Sequence, residues 1–263
     1  MCDALKGFKG ALWEELLKAK KSRVPIFIAL GYALVPLAMA FFMVIMKDPE
    51  GARRLGIIGM KAQIMVGAVD WPTYLGMLSQ GVMGLIILSA LMGGWIFGRE
   101  YADRTMKDLL ALPTTRSSFI AAKYTIFALW SLLMIAIVSV FGVVLGYIIG
   151  LPGLSLEIVL GGLSTIFVVG VMNVMLITPI ALVAFLGRGY LPSVGFMFLA
   201  LALAQVTEVI GFGMYFPYAI PALFIKGISG GDPLSVLSYL IVLLTCLGGA
   251  IGTYAWLRYA DQT

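Results

Sequence analysis

The sequence contains no histidine. That absence removes Ser–His and Cys–His nucleophilic catalysis and every imidazole metal site. Cysteine is nearly absent too. Cys2 stands at the N-terminus and Cys246 lies inside an apolar run, so neither a disulfide framework nor a thiolate zinc site is expected. No Gly-x-x-x-x-Gly-Lys-Ser/Thr stretch occurs, which excludes a P-loop for ATP, and no Gly-x-Gly-x-x-Gly follows a strand. Charge is scarce: 12% of the 263 residues are charged and 61% are hydrophobic, against about 25% and 45–50% in a soluble domain.

What is present is a set of long apolar runs. A helix needs about 20 residues to cross a hydrocarbon core of about 30 Å. Six stretches satisfy this: Val24–Met46, Tyr74–Phe97, Tyr124–Gly150, Ile158–Leu186, Leu191–Phe212 and Leu234–Leu257. They are continuously apolar and too long for strands. The expected fold class is therefore an all-α polytopic membrane protein with six transmembrane helices. It is read as one domain over residues 1–263, with a leading segment at 1–23, the six-helix bundle at 24–257 and a tail at 258–263. The first apolar run is too long for a signal-peptide core and lacks a small-residue cleavage site, so the N-terminus does not read as a cleaved signal.

The formal net charge of +5 sets orientation rather than nucleic-acid binding. Basic residues cluster before the first span, between spans two and three, at Arg188 and at Arg258, whereas Lys47, Arg53, Arg54, Lys61 and Lys226 lie on the other side. The excess predicts cytoplasmic N- and C-termini in a multi-pass protein of the cell membrane. In residues 1–23, Leu5, Phe8, Leu12 and Leu16 recur at helical spacing with lysines on other faces and Trp13 as an anchor. This predicts an amphipathic interfacial helix; a solvated basic tail is the alternative. Gly142, Gly146 and Gly150 share one face of span three, which suits close helix packing in a bundle or at a dimer interface.

The segment after span two begins at Gly98 and Arg99. Glu100 to Leu112 reads as a short helix. Asp103 and Arg104 are placed to pair with Lys107 and Asp108, and Met106, Leu109, Leu110 and Leu112 form an apolar patch. Pro113 ends it, and Ser117 is placed to cap the next helix. Such a helix suits either docking of a cytoplasmic partner or contact with lipid headgroups.

This segment resembles the cytoplasmic loop of ABC-2 type exporter permeases, more narrowly those of bacitracin and lantibiotic immunity transporters. The resemblance rests on Glu100, Thr105, Leu109, Leu110, Pro113, Arg116 and Lys123. The position before the threonine, often glycine in the family, is Arg104. Glu15, Leu16 and Lys18 also follow the order of the family's N-terminal interfacial helix. The resemblance implies a permease that leaves ATP hydrolysis to a separate chain. That subunit would pair with two copies of a cytoplasmic ABC ATPase and with a second permease, as a homodimer in the lipid bilayer. It implies that Glu100–Leu112, continuing to Pro113 and Arg116, is the coupling helix. No cofactor is expected on this chain, since ATP and Mg belong to the ATPase; no catalytic residue, metal or nucleic acid is expected either.

Within the spans the main polar groups are Asn173, Gln205 and Glu208. They are candidates for a translocation path, because a carboxylate deep in lipid costs about 2.5–3.5 kcal/mol and usually faces protein or water. Asn173 also suits interhelical hydrogen bonding. Between spans five and six, Phe216, Pro217 and Pro221 break an apolar stretch that reads as a short re-entrant external hairpin, consistent with the family; an interfacial loop with aromatic residues is the alternative. The leading functional expectation is a permease subunit of an ATP-driven exporter of a hydrophobic or amphipathic substrate, such as an antimicrobial peptide, drug or lipid-linked molecule. A stand-alone secondary transporter or channel is the alternative; it predicts paired polar groups at the midplane and an internal repeat. A membrane-embedded enzyme using Glu100, Asp103 and Asp108 is a third reading.

Overall fold

The computed structural model describes residues 2–48, 51, 68–105 and 115–259, with side chains from Gly7 onward. The described residues form helices and short turns, with no strand among them. Helix α1 (Cys2–Lys21) precedes α2 (Val24–Lys47), the first span. The second span is two helices in series, α3 (Trp71–Gly84) and α4 (Ile86–Ala102). Spans three and four are α5 (Arg116–Ile149) and α6 (Leu156–Leu186). Span five is α7 (Leu191–Val209). Two 3₁₀ turns and the short α8 (Ile220–Ile228) lead to span six, α9 (Val236–Tyr259). By length and hydropathy, six helices suit membrane crossing, the α3–α4 pair counting as one.

The six spans match the apolar runs closely, with three informative differences. Span three starts at Arg116 rather than Tyr124, so Lys123 lies two turns inside it. Its N-cap is Thr115, whose hydroxyl accepts from the Ser118 N–H, and not Ser117. The loop helix does not begin at Glu100. Instead α4 runs on through Glu100 to Ala102, and Asp103 and Arg104 form a turn. Arg104 has φ 58°, the left-handed region that favours glycine. The glycine common in the family at this position therefore has a geometric reason. Asp103 pairs back to Arg99 at 3.2 Å. Met106, Leu109, Leu110, Leu112 and Pro113, with Lys107 and Asp108, lie outside the described residues.

Span two is divided at Leu85, whose N–H is shared between the Gly81 carbonyl at 3.1 Å and the Val82 carbonyl at 3.2 Å. Span four is interrupted by Pro179, which lacks an N–H and cannot satisfy the preceding turn. Neighbouring side chains occupy that region. Thr178 Oγ1 donates to the carbonyls of Met175 and Cys246, and Tyr124 Oη to Thr253 Oγ1. Gly249 lets α9 approach Pro179 so closely that a Cβ would overlap its backbone.

The glycine face of span three packs within the bundle. A Cβ on Gly142 would meet Leu78 at 2.7 Å, and one on Gly146 would meet Trp71 at 2.7 Å. Tyr74 Oη donates to the Gly142 carbonyl at 2.9 Å across the same contact.

Candidate functional site

Two polar groups stand out from the apolar bundle. The first joins α1, α4 and α5. Lys123 is fully buried; its Nζ lies 2.8 Å from Glu100 Oε1 and 3.3 Å from Glu15 Oε1, and also donates to the Ile96 carbonyl. Lys18 closes the ring at 3.2 Å from Glu100, 3.1 Å from Glu15 and 2.8 Å from Glu14. Two buried carboxylates thus face two ammoniums, so the charges cancel where solvent cannot screen them. Burial pulls the Lys18 ammonium down, but the charges of Glu15 and Glu100 and the hydrogen bond to Glu14 outweigh it and hold its pKa above the ordinary lysine range. Glu100 Oε2 and Arg99 Nη1 are buried without a partner among the described residues.

This cluster determines how α1 sits. Its inner face is Ala11 and Glu15, with Phe8, Leu12 and Lys18 half-buried against the bundle. Trp13 is 65% exposed and Leu16 45%, with Leu17 beside them. The expected stripe therefore divides: Phe8 and Leu12 pack inward, whereas Trp13 and Leu16 face away. The side chain of Leu5 lies outside the described residues. An ion pair, as well as apolar packing, fastens the helix. Arg116 lies farther along the same end. Its guanidinium donates to the Leu257 carbonyl at 2.7 Å and to that of Arg258 at 3.3 Å, capping the end of α9. Thr105 donates its backbone N–H to the Glu100 carbonyl at 2.9 Å and closes the turn.

Glu100 and Arg116 are legible as site residues in the sequence, whereas the pairing of Glu100 with Lys123, Glu15 and Lys18 is not. The signal for it is Lys123 itself. A lysine beside so long an apolar run needs a buried counter-charge if the helix begins before it.

The second group lies at the other end of the bundle. Asn173 on α6 and Gln205 and Glu208 on α7 line one cavity of about 380 Å³, together with Ile86, Leu201 and Tyr218. The three candidate path residues thus come together. Asn173 Nδ2 donates to the Val82 carbonyl at 2.9 Å, in the turn that divides span two, and its Oδ1 is buried with no partner among the described residues. Asn173 also borders a void of about 10 Å³ beside Tyr32, Ser89 and Ser131.

The segment after α7 forms part of this cavity's wall. Phe216 precedes a 3₁₀ turn begun by Pro217; Tyr218 and Ala219 are buried, and Pro221 starts α8. Tyr218 Oη donates to the Leu176 carbonyl on α6 at 3.1 Å. Lys226 on α8 pairs with Glu208 on α7. The segment therefore folds back alongside α7 instead of leaving its end.

Among the described residues, no group of acidic or cysteine side chains is placed to hold a metal ion. The family model described as "ABC-2 family transporter protein" matches residues 11–205. The chain is also 24% identical over 174 residues to a bacitracin transport permease protein of Bacillus licheniformis, an alignment covering 66% of this chain and 84% of that protein. The family model's match takes in Glu15 and Lys18 on α1, the Glu100–Lys123 pair, and Asn173 and Gln205. This chain is a multi-pass membrane protein of the ABC-2 transporter family, a permease subunit of an ABC transporter.

Proposed function

We propose that this permease exports a hydrophobic or amphipathic substrate, such as an antimicrobial peptide, drug or lipid-linked molecule, driven by a separate ABC ATPase. Two permeases would form a homodimer in the cell membrane with both termini in the cytoplasm, and two ATPase copies would dock beneath them. ATP and Mg would reside on those partners. The observation that carries this reading is the Glu100–Lys123 joint within a chain of this family. Residues 103–115 leave from the end of α4 and re-enter at α5, and the two helix ends are locked to each other and to α1. A push on the Glu100–Leu112 segment would reach three elements at once, and Arg116 would pass it to α9.

Motion then needs weak points in the helices, and among the described residues Leu85 and Pro179 supply two, where the helical hydrogen bonding is irregular or a donor is missing. Weak points between fixed ends suit two packed arrangements of similar energy. The cavity of Asn173, Gln205 and Glu208 lies beside the first of them, where rearrangement would open or close it. The Phe216–Pro221 segment would line the outward route.

The test is co-expression with the ATPase subunit. The wild-type chain should co-purify with it and support ATP-dependent efflux. Leu109→Asp should abolish co-purification, and Glu100→Ala should uncouple hydrolysis from efflux. Unchanged ATP-driven efflux in both variants would remove the coupling role.

A further inference from the structure

The cavity beside α7 has a marked chemical bias. Its wall is apolar apart from Asn173, Gln205 and Glu208, and among the described residues no lysine or arginine lines it. The Asn173 amide is committed through its nitrogen to the Val82 carbonyl, which leaves a buried acceptor, Oδ1, unsatisfied. The one ionised group on the wall is a carboxylate.

That carboxylate has an exchangeable partner. The Lys226 side chain is 63% exposed and that of Glu208 only 20%. The cation therefore approaches from the exposed side and the carboxylate from the cavity side. Exposed ion pairs contribute about 0–1 kcal/mol, so a competing cation displaces Lys226 at little cost. An ammonium on an apolar body would gain the carboxylate and the apolar wall of Phe198 and Leu201. A phosphate or carboxylate headgroup would meet Glu208 with no cation on the wall to offset it.

We infer that this cavity is a binding site for a cationic amphiphile, an apolar body bearing a primary ammonium that replaces Lys226 at Glu208. Its volume of about 380 Å³ falls in the range of drug-sized ligands and is too small for a whole peptide. The inference narrows the substrate class of the proposed permease and rests on that reading for its place in transport, though binding itself needs no ATPase.

The experiment is fluorescence titration of the purified full chain, in nanodiscs of zwitterionic lipid, with dansylcadaverine. Its N-acetyl derivative serves as the neutral control and dansylated aminocaproate as the anionic one. The cation should bind about tenfold or more tighter than either control. Glu208→Gln should bring it to the level of the neutral probe. Lys226→Gln should tighten it several-fold by removing the competitor, an effect opposite in sign that loss of structure does not produce. Ala202→Trp at the wall should abolish binding of all three. Equal binding of the three probes, or a loss in both Glu208→Gln and Lys226→Gln, overturns the inference. The same probes in ATP-driven efflux separate the two readings. Efflux without charge preference removes this site and leaves the permease reading. Charge-selective binding with no ATPase-dependent efflux does the reverse.

Discussion

Lys123 and Lys226 each pair with a glutamate, in opposite surroundings. Lys123 is fully buried and the Glu100 side chain 3% exposed, whereas Lys226 is largely in the open and Glu208 sits between it and a cavity. The first pair has lost its water, so its attraction is strong but so is the penalty for breaking it. In the second the lysine is largely exposed, so its attraction for Glu208 is weaker. A desolvated pair fixes geometry; a hydrated pair is replaceable. The bundle thus has a rigid joint where α1, α4 and α5 meet and an exchangeable contact where α8 returns to α7.

The sharpest way to break this contrast is to remove one partner at each end. Lys123→Met should destabilise by about 3–5 kcal/mol, because the buried carboxylates of Glu15 and Glu100 are then left facing the single ammonium of Lys18. Adding Glu100→Leu should recover much of that loss. Thermal unfolding in detergent, followed by tryptophan fluorescence, measures both. Glu208→Gln should change stability by less than about 1 kcal/mol in the same assay; a large loss there would make the two pairs equivalent.

Smaller effects sharpen the picture. Tyr218→Phe removes one hydrogen bond to the Leu176 carbonyl and should cost about 1 kcal/mol, and it should loosen the α7–α8 segment, read as faster amide exchange in α8. Thr115→Ala removes the cap of α5 and should cost about 1 kcal/mol. Arg104→Gly should stabilise by up to about 1 kcal/mol, since glycine accepts φ 58° without penalty. The pH response should be the smallest of all near neutrality. Lys18 is held above its ordinary value, so its stabilisation is complete below about pH 10.4 and is lost only as pH rises through the higher folded-state value. Melting midpoints should be flat with respect to Lys18 between about pH 7 and 9.

The six spans were legible because lipid solvent demands long uninterrupted apolar runs, and nothing else in a chain imitates them. Helix ends were less legible. Hydropathy treats Lys123 as the boundary of span three, but a buried lysine with a counter-charge belongs inside the helix. Glu100 looks like the start of a loop helix for the same reason. Asn173, Gln205 and Glu208 stand out singly as polar residues in apolar runs. Their convergence on one cavity is not visible in the sequence, because the run from Asn173 to Gln205 includes a full reversal of the chain.

The sequence alone determined the fold class, the number of crossings and the absence of histidine chemistry, since each follows from composition and run length. Only the tertiary structure decided which charges neutralise one another. It brought Glu15, Lys18, Glu100 and Lys123 within hydrogen-bonding reach across three helices, and it left the Glu208–Lys226 pair at the edge of a cavity. Local sequence records that a charge is present. The energy of that charge depends on how much water its surroundings exclude, which packing alone sets.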